Sequence, residues 1–197
     1  MVALADAYLA GGARFIQIRC KHASSRDFLA TGQEVVRRAH RVGATVIVND
    51  RADIARLCGA DGVHVGQEDL APADARRIVG GQAIIGLSTH SADQVRAAAR
   101  EAVDYIAVGP IFGTSTKDTG YSSVGTSLVA EAATILRESG AMKPIVAIGG
   151  ITLDKASEVI AAGAASVAVI SDLVSTNDPE SRVRDYLEVL SEAVKRT

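Results

Sequence analysis

Tryptophan is absent from the sequence and aromatic residues make up only 4% of it, so neither an aromatic cage nor a base-stacking platform can easily be assembled. Whatever binds must be held by polar groups. Cysteine occurs twice, at Cys20 and Cys58, with no CxxC pair and no metal-ligand spacing, which excludes a disulfide framework and fits two structural thiols in a reducing compartment. A basic field is missing too. The net charge is -2 and no run of five Lys/Arg occurs, so nucleic acid is excluded as a partner. No stretch of 18 apolar residues is present, and the start, "MVALADAYLAGGARF", lacks a basic leader. Neither a membrane span nor a signal peptide is expected, and the location expected is cytoplasmic.

What is present is a repeated unit. Four stretches, "AGGARFIQI", "RVGATVIV", "CGADGVHV" and "AAGAASVAV", each end a helix-like segment at Gly and begin a short apolar strand. Gly supplies the left-handed residue that closes a helix, and the Val/Ile run behind it suits a strand buried on both faces. With less regular cases added, strands are predicted near Phe15–Arg19, Thr45–Asp50, Gly62–Gly66, Ala83–Thr89, Tyr105–Ile111, Pro144–Gly150 and Ser166–Ser171. Amphipathic segments such as "ADQVRAAAREA" lie between them. Unbroken alternation without a linker implies parallel strands and helical crossovers in one domain, residues 1–197.

Polar residues choose the architecture. An open doubly wound sheet would gather them at one switch point, whereas a barrel places them at every strand exit. The exits read "QIRCK", "NDR", "HVGQED", "LSTH", "GPIFGTSTK", "IGG" and "VIS". The expected fold is therefore an α/β TIM (β/α)8 barrel. Its first strand has no counterpart, because the segment before Phe15 reads as a helix. That leaves either a strand upstream or a gap that other residues cover.

Asp50 and Asp69 stand just past two successive strands, which lie about 4.8 Å apart, so both carboxylates could reach one hard cation such as Mg²⁺. The alternative is that each caps the helix that follows it. Gln17, Arg19 and Lys21 alternate along the first strand, which points them to one side; two cations and an amide in a barrel mouth suit an anion. Thr114, Ser115, Thr116 and Lys117 form a hydroxyl-rich, Gly-containing loop suited to phosphate oxygens. "AIGGI" and "VIS" offer backbone amides for a second phosphate. His64, within "GVHVG", and His90, after "LST", show no zinc spacing and suit hydrogen-bonding roles, His90 being the better candidate for chemistry.

In order and spacing, "QIRCK", "VIVNDR", "DGVHVGQED", "IGLSTH", "DYIAVGPIFGTSTK" and "PIVAIGGI" resemble thiamine phosphate synthase, from about Phe15 to Ser171. The resemblance implies a transferase that condenses 4-amino-2-methyl-5-hydroxymethylpyrimidine diphosphate with a thiazole phosphate, releasing pyrophosphate with Mg²⁺ on the diphosphate. It implies that Gln17, Arg19, Lys21, Asn49, Ser88 and Lys117 bind the pyrimidine diphosphate, with Arg19, Lys21, Ser88 and Lys117 serving the chemistry. Asp50 and Asp69 would hold Mg²⁺. Thr114, Ser115, Thr116, Gly150, Ile170 and Ser171 would take the thiazole phosphate. Two departures stand out: Gly113 replaces the Pro of "GPIFPT", and Cys20 replaces an acidic residue. Neither removes a ligand.

Three alternatives remain at the level of sequence. A thiazole tautomerase-like paralogue tends to lose the acidic pair and to carry His where Pro110 stands. A sugar-phosphate isomerase or epimerase needs an acid–base pair, for which only His64 and His90 are available. A phosphate-binding barrel without catalysis needs no chemistry at all. The partners expected are phosphorylated small molecules, with self-association into a homo-oligomer left open.

Overall fold

The computed structural model describes residues 1–113 and 122–195. Helices and strands alternate as α1 (Val2–Ala10), β1 (Phe15–Ile18), α2 (Ser25–His40), β2 (Thr45–Asn49), α3 (Ala52–Cys58), β3 (Gly62–Val65), α4 (Pro72–Val79) and β4 (Ile84–Thr89). They continue as α5 (Ala92–Arg100), β5 (Tyr105–Val108), α6 (Gly125–Glu138), β6 (Ile145–Ile148), α7 (Leu153–Ala161), β7 (Ser166–Ala168), a 3-10 turn (Ser171–Val174) and α8 (Pro179–Lys195). All seven predicted strands form. Six of them end one to three residues earlier than the apolar runs suggested, because the exit residues turn away into loops, and β4 ends at Thr89 as predicted. The segment before Phe15 is helical, as its sequence implied.

The seven strands pair in parallel and in chain order, β1 to β7, giving a TIM-like α/β fold one strand short of a full barrel. Its joints follow the sequence grammar: Gly12, Gly43, Gly59 and Gly163, one in each repeat, all have positive φ, from 68° to 110°, a region that disfavours a side chain. Strand parity separates two environments. Ile16, Ile18, Val46, Val48, Val63, Val65, Ile85, Leu87, Ile106 and Val108 face the helices and join one apolar core with Phe28, Val35, Val95 and Val129. Each such side chain contributes about 1.5–3 kcal/mol through burial, so this outer shell carries the fold.

The opposite parity faces the axis and carries Gln17, Ile47, Asn49, His64, Gly86, Ser88 and Tyr105, aligned by the strand register. Barrel interiors are usually filled by layers of branched aliphatics; here the central layer is polar. At the sheet's two edges the axis-facing residues Phe15, Gln17, Ser166 and Ala168 are exposed, because β1 and β7 are not hydrogen-bonded neighbours among the described residues. The helical layer does close there, since α8 packs on both α1 and α7. A Cβ at Gly11 would lie 2.5 Å from the Glu180 carbonyl oxygen and 2.8 Å from Val183 Cβ, which shows how closely α8 approaches the end of α1.

Candidate functional site

The C-terminal ends of β2, β3 and β4 bring Asn49, Asp50, Asp69 and Ser88 to one rim. At the exit of β2, Asn49 is 9% exposed and aligned with His64. The next residue, Asp50, is half-buried and has φ 64°. A non-glycine residue in the left-handed region costs about 1–3 kcal/mol and persists where its surroundings over-determine it. One restraint is the Asp50 amide, which donates to the His64 carbonyl oxygen at 2.8 Å and so ties the exit of β2 to β3.

Asp69 occupies the turn after β3. Its Oδ2 accepts from the Gly66 amide at 2.7 Å, while Gln67 Nε2 donates to the Ser88 carbonyl oxygen at 2.6 Å and ties that turn to β4. Neither aspartate takes the capping role that competed with the metal reading: the N-cap position is Arg51 for α3 and Ala71 for α4, and neither has a side-chain cap bond. The two carboxylates therefore sit on adjacent exits of a bonded strand pair. Among the described residues no group of three or more His, Cys, Asp or Glu could hold a metal alone. A pair of hard oxygen donors fits Mg²⁺, which is commonly bound by one or two carboxylates with ligand phosphates supplying further positions.

Gln17 has the axis-facing parity expected of it and lies beside Tyr105, and Phe15 meets the Tyr105 ring edge-on with centroids 5.9 Å apart. Arg19 is half-buried and Lys21 exposed, both past the end of β1. Neither has a carboxylate partner among the described residues, whereas Arg51 is committed to Asp53 at 2.6 and 2.8 Å and to Ser25 at 3.2 Å. That guanidinium holds the Asp53 carboxyl below its ordinary value. It also links the exit of β2 to the start of α2, and so braces the loop that carries Arg19 and Lys21.

Ser88, on β4, is buried and its Oγ lies 2.8 Å from His64 Nε2. His64 Nδ1 in turn lies 2.9 Å from the Tyr105 hydroxyl, and the two rings stack at 5.5 Å. Burial pushes the Tyr105 phenol well above its ordinary value, so it remains a protonated donor at neutral pH. Gly86 makes room for this contact: a Cβ there would stand 2.1 Å from Tyr105 Cζ and 2.5 Å from His64 Nδ1. Sequence reading passed over Tyr105. Its signal was a polar-tipped aromatic at an axis-facing position, paired in register with a glycine. His90 has a structural role: its Nδ1 lies 2.5 Å from the Gly109 carbonyl oxygen, and its amide donates to Gln94.

Thr114, Ser115, Thr116 and Lys117 lie outside the described residues. The ends of their loop are fixed, because Ile111 and Phe112 donate to the carbonyls of Ile148 and Gly149, and Val124 and Gly125 donate to those of Pro110 and Ile111. Gly150 has φ 65°, and a Cβ there would lie 2.4 Å from the Gly113 carbonyl oxygen; its backbone thus abuts the start of that loop. Ile170 is 56% exposed and Ser171 is exposed, beside β7. Asp172, next in the chain, accepts from the Leu153 amide at 3.2 Å, Arg182 at 2.8 Å and the Tyr186 hydroxyl at 2.6 Å. This carboxylate joins the Ser171 turn to the start of α7, three residues past Gly150.

The family model of thiamine monophosphate synthase matches residues 1–173. The thiamine-phosphate synthase of Chlorobium luteolum is 42% identical over 183 residues, 93% of this chain and 84% of that protein. That of Thermus thermophilus is 42% identical over 182 residues, 92% of this chain and 85% of its own. Among solved structures, thiamine phosphate pyrophosphorylase from Pyrococcus furiosus superposes with a TM-score of 0.89 at 30% identity, covering 98% of this chain and 90% of that one.

Proposed function

The chain belongs to the thiamine monophosphate synthase family, and from that premise we propose that it joins 4-amino-2-methyl-5-hydroxymethylpyrimidine diphosphate to a thiazole phosphate, releasing pyrophosphate. The observation that carries the reading is the paired exit of β2 and β3, where Asp50 keeps a left-handed backbone beside the turn that presents Asp69. Two carboxylates so placed would hold Mg²⁺, which when bound would neutralise charge on the diphosphate.

Gln17, Arg19, Lys21, Asn49, Ser88 and Lys117 would grip the pyrimidine diphosphate. Arg19, Lys21, Ser88 and Lys117 would stabilise negative charge that accumulates as the carbon–oxygen bond breaks and the diphosphate departs. Thr114, Ser115, Thr116, Gly150, Ile170 and Ser171 would orient the thiazole phosphate in line with the methylene carbon. The bond breaks ahead of attack, and the ring's amino group stabilises the resulting cation, so little proton transfer is required. This agrees with histidines whose ring nitrogens bond to Tyr105, Ser88 and the Gly109 carbonyl. Holding both substrates in line can supply about 7–11 kcal/mol of the barrier.

Incubating the protein with both phosphorylated heterocycles and Mg²⁺, and following pyrophosphate, tests the reading. Release that stops when the metal is chelated supports it. Binding of both compounds without release would leave a barrel that binds but does not react.

A further inference from the structure

The central layer of the barrel is a hydrogen-bonded line from one side of the axis to the other. It runs from the Tyr105 hydroxyl to His64 Nδ1 at 2.9 Å, and from His64 Nε2 to Ser88 Oγ at 2.8 Å, with the Gln17 side chain beside the phenol. A neutral imidazole donates from one nitrogen and accepts at the other, so the line has two polarities. In the first, Ser88 donates to Nε2 and Nδ1 donates to the phenol oxygen. In the second, every proton is reversed. The phenol donates to Nδ1 and Nε2 to Ser88 Oγ, which leaves the serine proton at the end of the line.

The position of Ser88 and the chemistry of the guest select between them. Ser88 is one residue from the C-terminal end of β4, on the axis-facing parity, and so stands at the rim where Asp50 and Asp69 lie. Diphosphate oxygens and pyrimidine ring nitrogens are acceptors. A serine whose proton was committed to His64 would offer them only lone pairs. We infer that His64, fixed as the Nε2–H tautomer by the Tyr105 hydroxyl at Nδ1, is a positioning residue that makes the Ser88 hydroxyl an obligate donor to the phosphorylated pyrimidine, an inference that rests on the function proposed above. The backbone is shaped for the contact that sets the tautomer. Any side chain at Gly86 would collide with both Tyr105 and His64.

Two-bond proton–nitrogen correlations on the ¹⁵N-labelled wild-type protein, without substrate at neutral pH, read the tautomer directly. The expected result is a protonated Nε2 and a bare Nδ1; an Nδ1–H tautomer or an imidazolium overturns the inference. Tyr105→Phe keeps the ring and removes the hydroxyl. It should mix the two tautomers and lower kcat for pyrophosphate release about tenfold, with KM for the thiazole phosphate unchanged. An unaltered tautomer with unaltered kcat overturns the inference by a second route. A wild-type protein that shows Nε2–H yet releases no pyrophosphate overturns the functional reading, whereas Nδ1–H in a protein that does release it overturns this inference alone.

Discussion

Asp50 has a backbone angle that favours a glycine, yet the residue there is a carboxylate. If structure alone governed the position, Gly would serve better, because it carries no left-handed penalty. Asp50→Gly should therefore unfold within about 1 kcal/mol of the parent, measured by urea denaturation, while Mg²⁺-dependent turnover falls about a hundredfold or more. A large loss of stability with turnover retained would return Asp50 to a structural role. The position of this residue at a strand exit was legible in the sequence, since an acidic residue ending an apolar strand is conspicuous. That it does not cap α3 was not legible, because capping depends on which residue holds the N-cap position, and here that is Arg51. Tyr105 was hidden for a related reason. Its partners His64, Gly86 and Gln17 come from three other strands, and only the register unites them.

At the scale of elements, Asp172 clamps three segments, α7, the 3-10 turn and α8. Its side chain and that of Arg182 are 11% and 18% exposed. Removing one partner of so enclosed a pair leaves a poorly solvated charge, and Asp172→Ala should cost about 3 kcal/mol. Because the same carboxylate joins the Ser171 turn to the segment after Gly150, KM for the thiazole phosphate should rise as well; thermal melts and initial rates check the two effects.

Tyr186 completes the clamp. Burial first, and then its hydrogen bond to Asp172, raise its phenol above the usual 10.0. The unfolded chain therefore loses this proton at a lower pH than the folded chain does. The stability it contributes is intact below pH 10 and declines as pH rises beyond it. Tyr186→Phe should show a shallower alkaline decline than the parent in denaturation followed across that range. The helix-to-strand joints were readable in advance because Gly states a backbone requirement locally. The Asp172 clamp was not, since its four groups are spread from Leu153 to Tyr186 and no spacing links them.

For the molecule as a whole, the sequence conveyed the parallel strands, their order and the shortfall of one strand, because each rests on local alternation. The polar central layer was only partly visible: Gln17 and Asn49 stood out at strand exits, whereas His64 was apparent only as a polar residue inside an apolar strand. The unpaired edges have a measurable signature. Amides of β1 and β7 should exchange with deuterium about tenfold or more faster than those of β3 and β4, which are bonded on both sides; equal protection would mean that the two edges are covered. Between every other neighbouring pair of strands a ladder of backbone bonds resists separation. Across the open side, the packing of α8 on α1 and α7 holds the ring, and apolar attraction of that kind weakens on cooling. Chilling, more than mild warming, is thus the stress under which this side of the molecule parts first.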